Sequence, residues 1–510
     1  MSNHSAHSTE HSSHPGVLVS WNTTNACNLK CSHCYRDAGQ TAARELDFEE
    51  GRRLLREIRQ AGFRVIVFSG GEPLMRPDIF ELITYASSLG LKPVCGTNGT
   101  LLTPEAVSRL QEAGTAVVGI SLDSIDPDQH DHFRGVAGSW QEALDGAANC
   151  RAAGLPFQLH TTVFPWNYRE IEDLNDLAVR IGARGHHVFF FVPTGRGLGR
   201  QESIDPKLSE DLLGRLLERQ ARLPIEIKPT CAPQFVRVAR QRQLPTRFQR
   251  GCLAGISYCI IGPQGDVYPC PYMDLKIDNV RRQPFDEIWK HNEVLDKLRA
   301  EQYGGYCGIC AYRGLCGGCR ARSFSETGGD FLGEDPLCLY KDEQENKIRP
   351  LAEQVIIRLQ SGLPLVSRPY KALAEELDVT QGSILKAIRW LVAKGIVRKL
   401  GAVFDLKNLG YASTLCAGRV PLERVDEVAA VINAYPGVTH NYLREHDYNL
   451  WFTLIAGSEE QLSRQIQEIR QRTGIEDIIS LPALRTFKIA VSFPDQELNG
   501  VFTEKELMKP

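Results

Sequence analysis

Six short β-type runs alternate with helical segments between residues 17 and 206, and this alternation constrains the fold of the 510-residue chain most strongly. The runs are VLVSWNTT, FRVIVFSG, LKPVCGTNG, AVVGISLDS, PFQLHTTVF and GHHVFFFVP. Strands that alternate with helices of about 10 to 15 residues indicate βαβ units and a parallel sheet. We therefore predict an α/β fold with a partial (β/α)6 barrel over residues 17–206, whose active site lies at the carboxyl ends of the strands.

Composition and charge exclude several classes of protein. A net charge of -3 argues against a wholesale polyanion binder. No apolar run approaches the roughly 20 residues that a membrane span needs, so we expect no membrane partner. Residues 1–16 lack the basic start and apolar stretch of a signal peptide and read as a disordered tail. We expect a cytoplasmic protein, with a second tail at residues 496–510.

The chain has 15 cysteines, and several are clustered. In a long chain without an export signal, clustered cysteines hold metal more often than they form disulfides. The first cluster, Cys27, Cys31 and Cys34, follows the first predicted strand directly. Three thiolates can hold three irons of a [4Fe–4S] cluster and leave the fourth iron open. A zinc site would need a fourth ligand, and His33 is too close in sequence to supply it comfortably.

The spacing Cys27-x3-Cys31-x2-Cys34-Tyr35 resembles that of the radical S-adenosylmethionine (SAM) superfamily. Further motifs of that superfamily stand where predicted strands end: Gly70–Pro73, Thr97–Gly99, Ser121–Ser124 and Pro193–Gly197. The resemblance implies that SAM binds the open iron, and that one electron from a reductant such as ferredoxin or flavodoxin cleaves it to a 5′-deoxyadenosyl radical. It implies SAM contacts from Tyr35, Gly70, Gly71, Glu72, Pro73, Asn98, Ser121, Asp123 and Arg196.

Residues 251–345 are rich in Gly, Pro and Cys and too irregular to form an apolar core. We therefore expect bound metal to stabilise their fold. Their cysteine pattern resembles the SPASM extension of radical SAM enzymes, which implies one or two auxiliary [4Fe–4S] clusters on Cys252, Cys270, Cys307, Cys310, Cys316, Cys319 and Cys338. A zinc ribbon is the alternative. Residues 207–250 read as a helical linker, and Cys231 and Cys259 stay unassigned.

The C-terminal third predicts a winged helix-turn-helix over residues 346–405 and a βαββαβ ferredoxin-like domain over residues 406–495. Together they resemble the leucine-responsive regulator architecture. Residues 361–400 carry seven Lys or Arg against three Asp or Glu, a modest excess for phosphate contacts. We do not expect DNA to be the partner.

Several motifs in this C-terminal third resemble those of the sirohaem decarboxylases, which have the same fold as the regulators. The resemblance rests on Gly437–Thr453, Arg398–Phe404 and Leu481–Lys488. It implies catalytic roles for His440, Arg444 and His446, and substrate binding by Arg398, Tyr442, Trp451, Arg485 and Lys488. In such a site the arginines pair with the carboxylates of sirohaem and the aromatic rings stack on its macrocycle. A histidine ligates its iron or donates a proton. Each histidine alone is equally well explained as a hydrogen-bonded sheet residue. Some members of that family work as pairs of unlike subunits. The single copy in this chain either forms a homodimer through this domain or has lost catalysis, and both alternatives stay open.

The N-terminal two-thirds resemble the radical SAM enzymes of alternative haem and haem d1 synthesis, on Trp21–Asn25, Cys34–Gly39 and Val192–Gly197. The resemblance implies a tetrapyrrole substrate, sirohaem or didecarboxysirohaem. We predict that the C-terminal domain decarboxylates sirohaem and that the radical domain removes acetates from 12,18-didecarboxysirohaem to give Fe-coproporphyrin III. The alternatives are propionate removal in haem d1 synthesis, peptide modification by a SPASM enzyme, and a haem-responsive DNA-binding regulator.

Overall fold

A computed structural model describes residues 16–199, 203–401, 406 and 408–484. The chain forms two compact units: unit 1 comprises Met1–Ala352 with Tyr370–Ile396, and unit 2 comprises Glu353–Pro369 with Val397–Pro510. The tails predicted at residues 1–16 and 496–510 lie outside the described residues, apart from Gly16.

The described part of unit 1 is built on one ten-stranded sheet. Its strands are β1 (Leu18–Asn22), β2 (Val65–Ser69), β3 (Lys92–Thr97), β4 (Val117–Ser121), β5 (Phe157–Val163), β6 (Gly185–Phe190), β7 (Glu226–Thr230), β8 (Tyr258–Ile261), β9 (Asp266–Tyr268) and β10 (Asp278–Asn279). The order across the sheet is β10-β9-β8-β1-β2-β3-β4-β5-β6-β7. The six predicted strands are confirmed as β1–β6 and pair in parallel, which confirms the partial barrel.

Two parallel strands extend this barrel beyond the prediction. Strand β7 pairs with β6, and β8 pairs with β1 on the other side of the sheet. The linker predicted to be helical contains β7 because its sequence EIKPT alternates polar and apolar residues, with Ile227 buried. Pro229 hides this signal, but a proline that cannot donate a hydrogen bond is tolerated in a strand at the edge of a sheet.

The helices from the barrel through the extension are α1 (Phe48–Gln60), α2 (Ile79–Ser88), α3 (Pro104–Glu112), α4 (Pro127–Arg134), α5 (Ser139–Ala153), α6 (Ile171–Ile181), α7 (Pro206–Gln220), α8 (Phe235–Gln241), α9 (Phe285–Lys290), α10 (Glu293–Ala300), α11 (Gly305–Ile309) and α12 (Arg320–Glu326). Helix α1 shows why they form: Asp47 and Glu50 make a reciprocal capping box, and Leu54, Leu55 and Ile58 bury one face. Among the described residues, every helix is too short or too polar to cross a bilayer.

The helix-turn-helix predicted after the extension is confirmed. It contains α13 (Leu339–Gln360), α14 (Pro369–Glu376) and α15 (Gln381–Ala393). Helix α15 packs against α11 of the cysteine-rich extension within unit 1. Lys394, just after α15, pairs with Glu334 at 3.1 Å and with Glu345 at 2.7 Å. The predicted wing is not seen in Val397–Gly401, which form no strand, and residues 402–405 lie outside the described part.

The βαββαβ topology predicted for unit 2 is confirmed. Its elements are β11 (Ala412–Gly418), α16 (Val425–Asn433), β12 (Val438–Leu443), β13 (Leu450–Ala456), α17 (Glu459–Thr473) and β14 (Ile478–Leu481). The strands form an antiparallel sheet in the order β12-β13-β11-β14. Strand β14 was not predicted, and the strand predicted at residues 484–493 lies outside the described residues apart from Leu484.

Candidate active site and metal centres

The first cysteine cluster lies on the loop that follows β1, at the carboxyl end of the parallel strands. The end of helix α4 holds this loop, because the Lys30 N–H donates to the Arg134 carbonyl at 3.0 Å and the Ser32 N–H to the Phe133 carbonyl at 3.1 Å. The approach requires glycine after the helix: a Cβ on Gly135, whose φ is +75°, would lie 2.9 Å from the Lys30 carbonyl oxygen. Helix α4 therefore helps to hold the cysteine loop in place.

Each of the three cysteine sulfurs in this cluster accepts one hydrogen bond. The Leu29 N–H donates to Cys27 Sγ at 3.5 Å and the Ala38 N–H donates to Cys34 Sγ at 3.4 Å. The third donor is Arg134, whose Nη1 lies 3.7 Å from Cys31 Sγ. Such donors stabilise thiolates, whereas burial raises the pKa of the Cys27 thiol to about 11. A cluster metal would remove those protons, so the sulfurs and their donors fit a bound iron–sulfur cluster.

Arg134 is a site residue that no sequence motif marks. Its guanidinium pairs with Asp123 at 2.6 Å, and the Asp123 side chain is fully buried. Although burial alone would raise the pKa of Asp123, Arg134 and neighbouring donors hold it below its usual value. Asp123 therefore acts behind the cavity wall, where it positions Arg134 against Cys31; its predicted contact with SAM stays a prediction.

The Gly70–Pro73 motif packs against the backbone that leads into the cysteine loop. A Cβ on Gly70 would lie 2.4 Å from the Thr24 carbonyl oxygen, and one on Gly71 would lie 2.1 Å from that of Ala26. Both glycines are therefore required by close approach. The Gly71 N–H donates to the Thr24 carbonyl at 2.8 Å, which pins the end of β2 to the cysteine loop.

Glu72 holds the neighbouring Thr97–Gly99 turn. Its carboxylate accepts from the Asn98 N–H and the Thr97 hydroxyl, each at 2.8 Å. Burial raises the pKa of Glu72 to about 7, against the effect of these donors. With its two oxygens directed at this turn, Glu72 supports Asn98, which lines the cavity. Pro73, like Glu72, is buried and does not line the cavity.

Arg196 clamps the cysteine loop from the opposite side of the barrel. Its Nε donates to the Cys31 carbonyl at 3.1 Å and its Nη1 to the Ala38 carbonyl at 3.0 Å. Gly195 permits the approach, since a Cβ there would lie 2.5 Å from the Cys34 carbonyl oxygen. Arg196 also lines the cavity, as do the other residues predicted to touch SAM outside Glu72, Pro73 and Asp123: Tyr35, Gly70, Gly71, Asn98 and Ser121.

One cavity of about 620 Å³ connects the first cysteine cluster with the barrel interior. Drug-sized and cofactor-sized ligands occupy sites of about 300–1,000 Å³. Strands β5, β6 and β7 contribute His160, His187 and Lys228 to its wall. The two imidazoles stack with ring centroids 5.2 Å apart, and Gly119 makes room because a Cβ there would lie 2.4 Å from the His160 ring.

These three residues give the cavity a cationic and hydrogen-bonding side. Burial lowers the pKa of Lys228, whose Nζ lies 4.7 Å from the centroid of the Phe248 ring. Burial also lowers the pKa values of His160 and His187, which favours neutral imidazoles. Sequence reasoning missed all three. Their inward alternation on predicted strands was the available signal, since Gln158, His160 and Thr162 share one face of β5.

The seven cysteines of the extension separate into two groups. Cys252, Cys270 and Cys319 line the large cavity, so they face the same space as the first cluster. The other four line a separate, small pocket: Cys307, Cys310, Cys316 and Cys338. Cys316 and Cys319 are three positions apart yet belong to different groups.

Each group suits an iron–sulfur cluster by its chemistry. All seven cysteines are free of disulfides. In the four-cysteine group the Tyr312 N–H donates to Cys310 Sγ at 3.4 Å, and Arg320 Nη2 lies 3.7 Å from Cys307 Sγ. Thiols with N–H donors in a buried pocket match the environment of a cluster. Four cysteines complete one cluster, whereas Cys252, Cys270 and Cys319 leave one iron without a cysteine from the predicted set.

In unit 2 five of the predicted residues lie together on β12, on β13 and in the loop between them: His440, Tyr442, Arg444, His446 and Trp451. The His440 and Tyr442 rings lie 5.9 Å apart on β12, and Tyr442 pairs with Trp451 on β13. The Arg444 guanidinium lies 5.4 Å from the Trp451 ring centroid, and the His446 ring 6.4 Å from it. Arg398 is exposed elsewhere in the unit. Arg485 and Lys488 lie outside the described residues.

Family models match four successive parts of the chain: the radical SAM superfamily at residues 21–178, an iron-sulfur cluster-binding domain at 252–319, a sirohaem decarboxylase NirDL-like HTH domain at 352–398, and an AsnC-like ligand-binding domain at 408–488. The AdoMet-dependent haem synthase of Methanosarcina barkeri (strain Fusaro / DSM 804) is 41% identical over 339 residues, which cover 64% of this chain and 96% of that protein.

Two further relatives match the two predicted activities, acetate removal and sirohaem decarboxylation, by their names. The Fe-coproporphyrin III synthase of the same organism is 31% identical, over 64% of this chain and 88% of that protein. The sirohaem decarboxylase alpha subunit of Desulfovibrio desulfuricans (strain ATCC 27774 / DSM 6949 / MB) is 48% identical over 140 residues, or 28% of this chain and 80% of that subunit. The chain therefore belongs to the radical SAM/SPASM enzymes of haem biosynthesis that resemble haem synthase, and it also carries sirohaem decarboxylase-like HTH and AsnC-like domains.

Proposed function

We propose that the radical SAM part of this chain forms haem from Fe-coproporphyrin III. The observation that carries the proposal is the 620 Å³ cavity, which is lined both by Cys27, Cys31 and Cys34 and by a second cysteine group. The identity of 41% to an AdoMet-dependent haem synthase supports the haem product. Two propionates of Fe-coproporphyrin III must become vinyl groups to give haem.

The chemistry of each vinyl group explains why two cysteine groups face one cavity. A propionate side chain becomes a vinyl group when it loses one hydrogen atom, one electron and carbon dioxide. When bound, the iron–sulfur groups and SAM supply the hydrogen-abstracting radical and an acceptor for that electron. The chain itself binds the carboxylates through Lys228, orients the ring against His160 and His187, and excludes water by burial.

Lys228→Met should weaken tetrapyrrole binding about 10-fold to 100-fold, because a hydrogen bond to a charged group contributes about 1.5–3 kcal/mol. The loss should be measured by anaerobic absorbance titration with Fe-coproporphyrin III. Lys207→Met is the matched control, since Lys207 is exposed on α7. Equal binding by the two variants would remove Lys228 from the substrate site.

Acetate removal from 12,18-didecarboxysirohaem is the second candidate for the same cavity. The sirohaem decarboxylase-like unit 2 favours it, because decarboxylation of sirohaem supplies that substrate, and a 31% identical relative is a Fe-coproporphyrin III synthase. Propionate removal, as in haem d1 synthesis, would give a third product from the same tetrapyrrole. Both reactions share the need for a carboxylate-binding cavity.

One experiment separates these reactions. The full chain, reconstituted anaerobically with iron and sulfide, is given SAM, reductant and either Fe-coproporphyrin III or didecarboxysirohaem, and the products are identified by mass spectrometry. Loss of carbon dioxide and two hydrogens per side chain from Fe-coproporphyrin III supports haem formation. Conversion of didecarboxysirohaem alone supports acetate or propionate removal, according to the fragment lost. No change in either tetrapyrrole would contradict both proposals and favour the peptide-modifying alternative.

For unit 2 we propose sirohaem decarboxylation at the face formed by His440, Tyr442, Arg444, His446 and Trp451. The exposed Tyr442 ring and the half-buried Trp451 ring offer a stacking surface for a macrocycle, and Arg444 offers a partner for its carboxylates. DNA binding is not favoured, because Lys394 pairs with two glutamates and Lys386 donates to Gln344 at 3.2 Å.

His446→Ala and Arg444→Ala should each lower sirohaem decarboxylation about 100-fold or more, since a positioned acid or base contributes about 10²–10⁴-fold. Carbon dioxide loss is followed without SAM, so that the radical reaction does not contribute. Arg464→Ala, which alters an exposed arginine of α17, should keep full turnover. Full turnover by the two site variants as well would refute this site.

A further inference from the structure

We propose that Cys231 is the fourth cysteine ligand of the auxiliary cluster held by Cys252, Cys270 and Cys319. The inference rests on the proposed electron-transfer role of that cluster, and it makes the cluster fully ligated by protein. Cys231 is not among the cysteines of the SPASM-like pattern, since it comes 21 positions before Cys252 in the segment read as a linker.

The topology brings Cys231 to the other three cysteines. It follows the last residue of β7 directly, at the carboxyl edge of the parallel strands where the cavity opens. All four cysteines line this cavity. Cys231 and Cys270 also pack against the buried group that contains Cys319. The Cys231 thiol interacts electrostatically with Cys319 and Cys252, and the Cys270 thiol interacts with all three.

A buried ion pair fixes Cys231 relative to Cys319. Arg322 and Asp335 pair at 3.0 Å with almost no exposure of either side chain. Arg322 Nη2 donates to the Cys231 carbonyl at 2.8 Å, and the Cys319 N–H donates to Asp335 at 2.6 Å. The Arg322–Asp335 ion pair thus fixes the backbones of both Cys231 and Cys319. Such a fixed arrangement is what a cluster with four ligands needs.

The backbone of Cys231 is strained. Its φ is +59°, in the left-handed region that residues with a Cβ rarely adopt. Such a conformation costs about 1–2 kcal/mol in a residue other than glycine, and strain of this kind concentrates at functional sites. Glycine adopts this conformation without strain, so a glycine substitution removes the Cys231 thiol without adding strain to the backbone.

Complete cysteine ligation has a mechanistic consequence. A cluster with three cysteines offers one iron to an external ligand, whereas a cluster with four does not. Cys231, Cys252, Cys270 and Cys319 would then hold this cluster without leaving an iron open to a tetrapyrrole carboxylate, and the cluster would supply an electron acceptor that is not bonded to the substrate. The carboxylates are then left to Lys228 and the histidines of the barrel.

The test uses the full chain with Cys27, Cys31 and Cys34 changed to alanine, so that only auxiliary clusters contribute. Into this background we introduce Cys231→Gly, which removes the thiol and relieves the backbone strain. Cys231→Ser is a second variant, which offers an oxygen ligand instead. Cys259→Ser is the control, because Cys259 is buried in the barrel core and does not line the cavity. The readouts are iron and sulfide per chain, the electron paramagnetic resonance (EPR) spectrum of the reduced protein and its midpoint potentials.

We expect Cys231→Gly to lose about four irons per chain, or about one if a three-iron centre remains. We expect Cys231→Ser to shift the EPR spectrum and potential of one cluster. The control should match the background in every readout. Thermal unfolding of the metal-free forms checks that Cys231→Gly still folds. Unchanged iron, EPR spectrum and potentials in both Cys231 variants would overturn the proposal. It is equally overturned if changing Cys252, Cys270 and Cys319 to alanine costs the background no iron, an outcome that leaves the proposed substrate untouched.

Discussion

Asp335→Asn should lower the free energy of unfolding by about 3–5 kcal/mol, the usual cost of removing one partner of a buried ion pair. The carboxylate is fully buried and accepts from Arg322, whose side chain is 2% exposed. It also accepts from the Gln234 amide at 2.7 Å and the Leu337 N–H at 3.1 Å. Without the negative charge, the Arg322 guanidinium would remain buried without a counterion.

The same substitution should reduce the iron content of both auxiliary sites. Asp335 holds the Cys319 N–H of one cysteine group, and its own carbonyl accepts from the Cys338 N–H of the other at 3.2 Å. We would measure denaturant unfolding of the metal-free protein, and iron per chain after reconstitution. Asp342→Asn, at a half-exposed carboxylate, should cost no more than about 1 kcal/mol and leave the iron unchanged. Equal effects of the two substitutions would contradict the role assigned to Asp335.

The pH dependence of this pair has a defined sign. Burial opposes ionisation of Asp335, but Arg322 and the N–H donors outweigh it, so the folded-state pKa lies below the usual value. The contribution of the pair is therefore present above the ordinary aspartate pKa and is lost as the pH falls through the folded-state value. In Asp335→Asn this acid-dependent loss of stability should be smaller than in the parent protein.

Arg134→Met should have a comparable effect at the first cysteine cluster. It leaves the fully buried Asp123 carboxylate without its partner, which we expect to cost about 3–5 kcal/mol. It also removes the donor to Cys31 Sγ, so the midpoint potential of a cluster bound there should fall. Arg134→Lys should restore little, because a lysine cannot pair with the carboxylate through two nitrogens and still reach the sulfur.

A double-mutant cycle tests whether the effect comes from the pair. Asp123→Asn combined with Arg134→Met should destabilise less than the sum of the single substitutions, because neither charge is then left alone. Arg109→Met is the control, since Arg109 lies 3.9 Å from Glu81 with both side chains more than half exposed. If the two single effects at Arg134 and Asp123 simply add, the pair does not stabilise the loop as described.

Local patterns sufficed for the elements whose signal lies within a few neighbouring residues. The six barrel strands and the βαββαβ order were predictable because apolar runs and helix caps report burial directly. Strand β7 was not predictable, because Lys228 and Pro229 interrupt the apolar pattern of this short edge strand between two helices. Strand β14 was not predicted either, since the pairing of Ile478–Leu481 with β11 decides it.

By itself, the sequence determined the parallel barrel, the motifs at its strand ends and the family of the chain, because each depends on residues that are close along the chain. The tertiary structure decided the rest. Only the packing of the extension on the barrel separates Cys319 from Cys316 and brings Cys231 to the cavity. Only the return of helix α4 to the cysteine loop places Arg134 beside Cys31, 103 positions away. Contacts of this kind depend on how whole elements pack, and neither spacing nor periodicity encodes that.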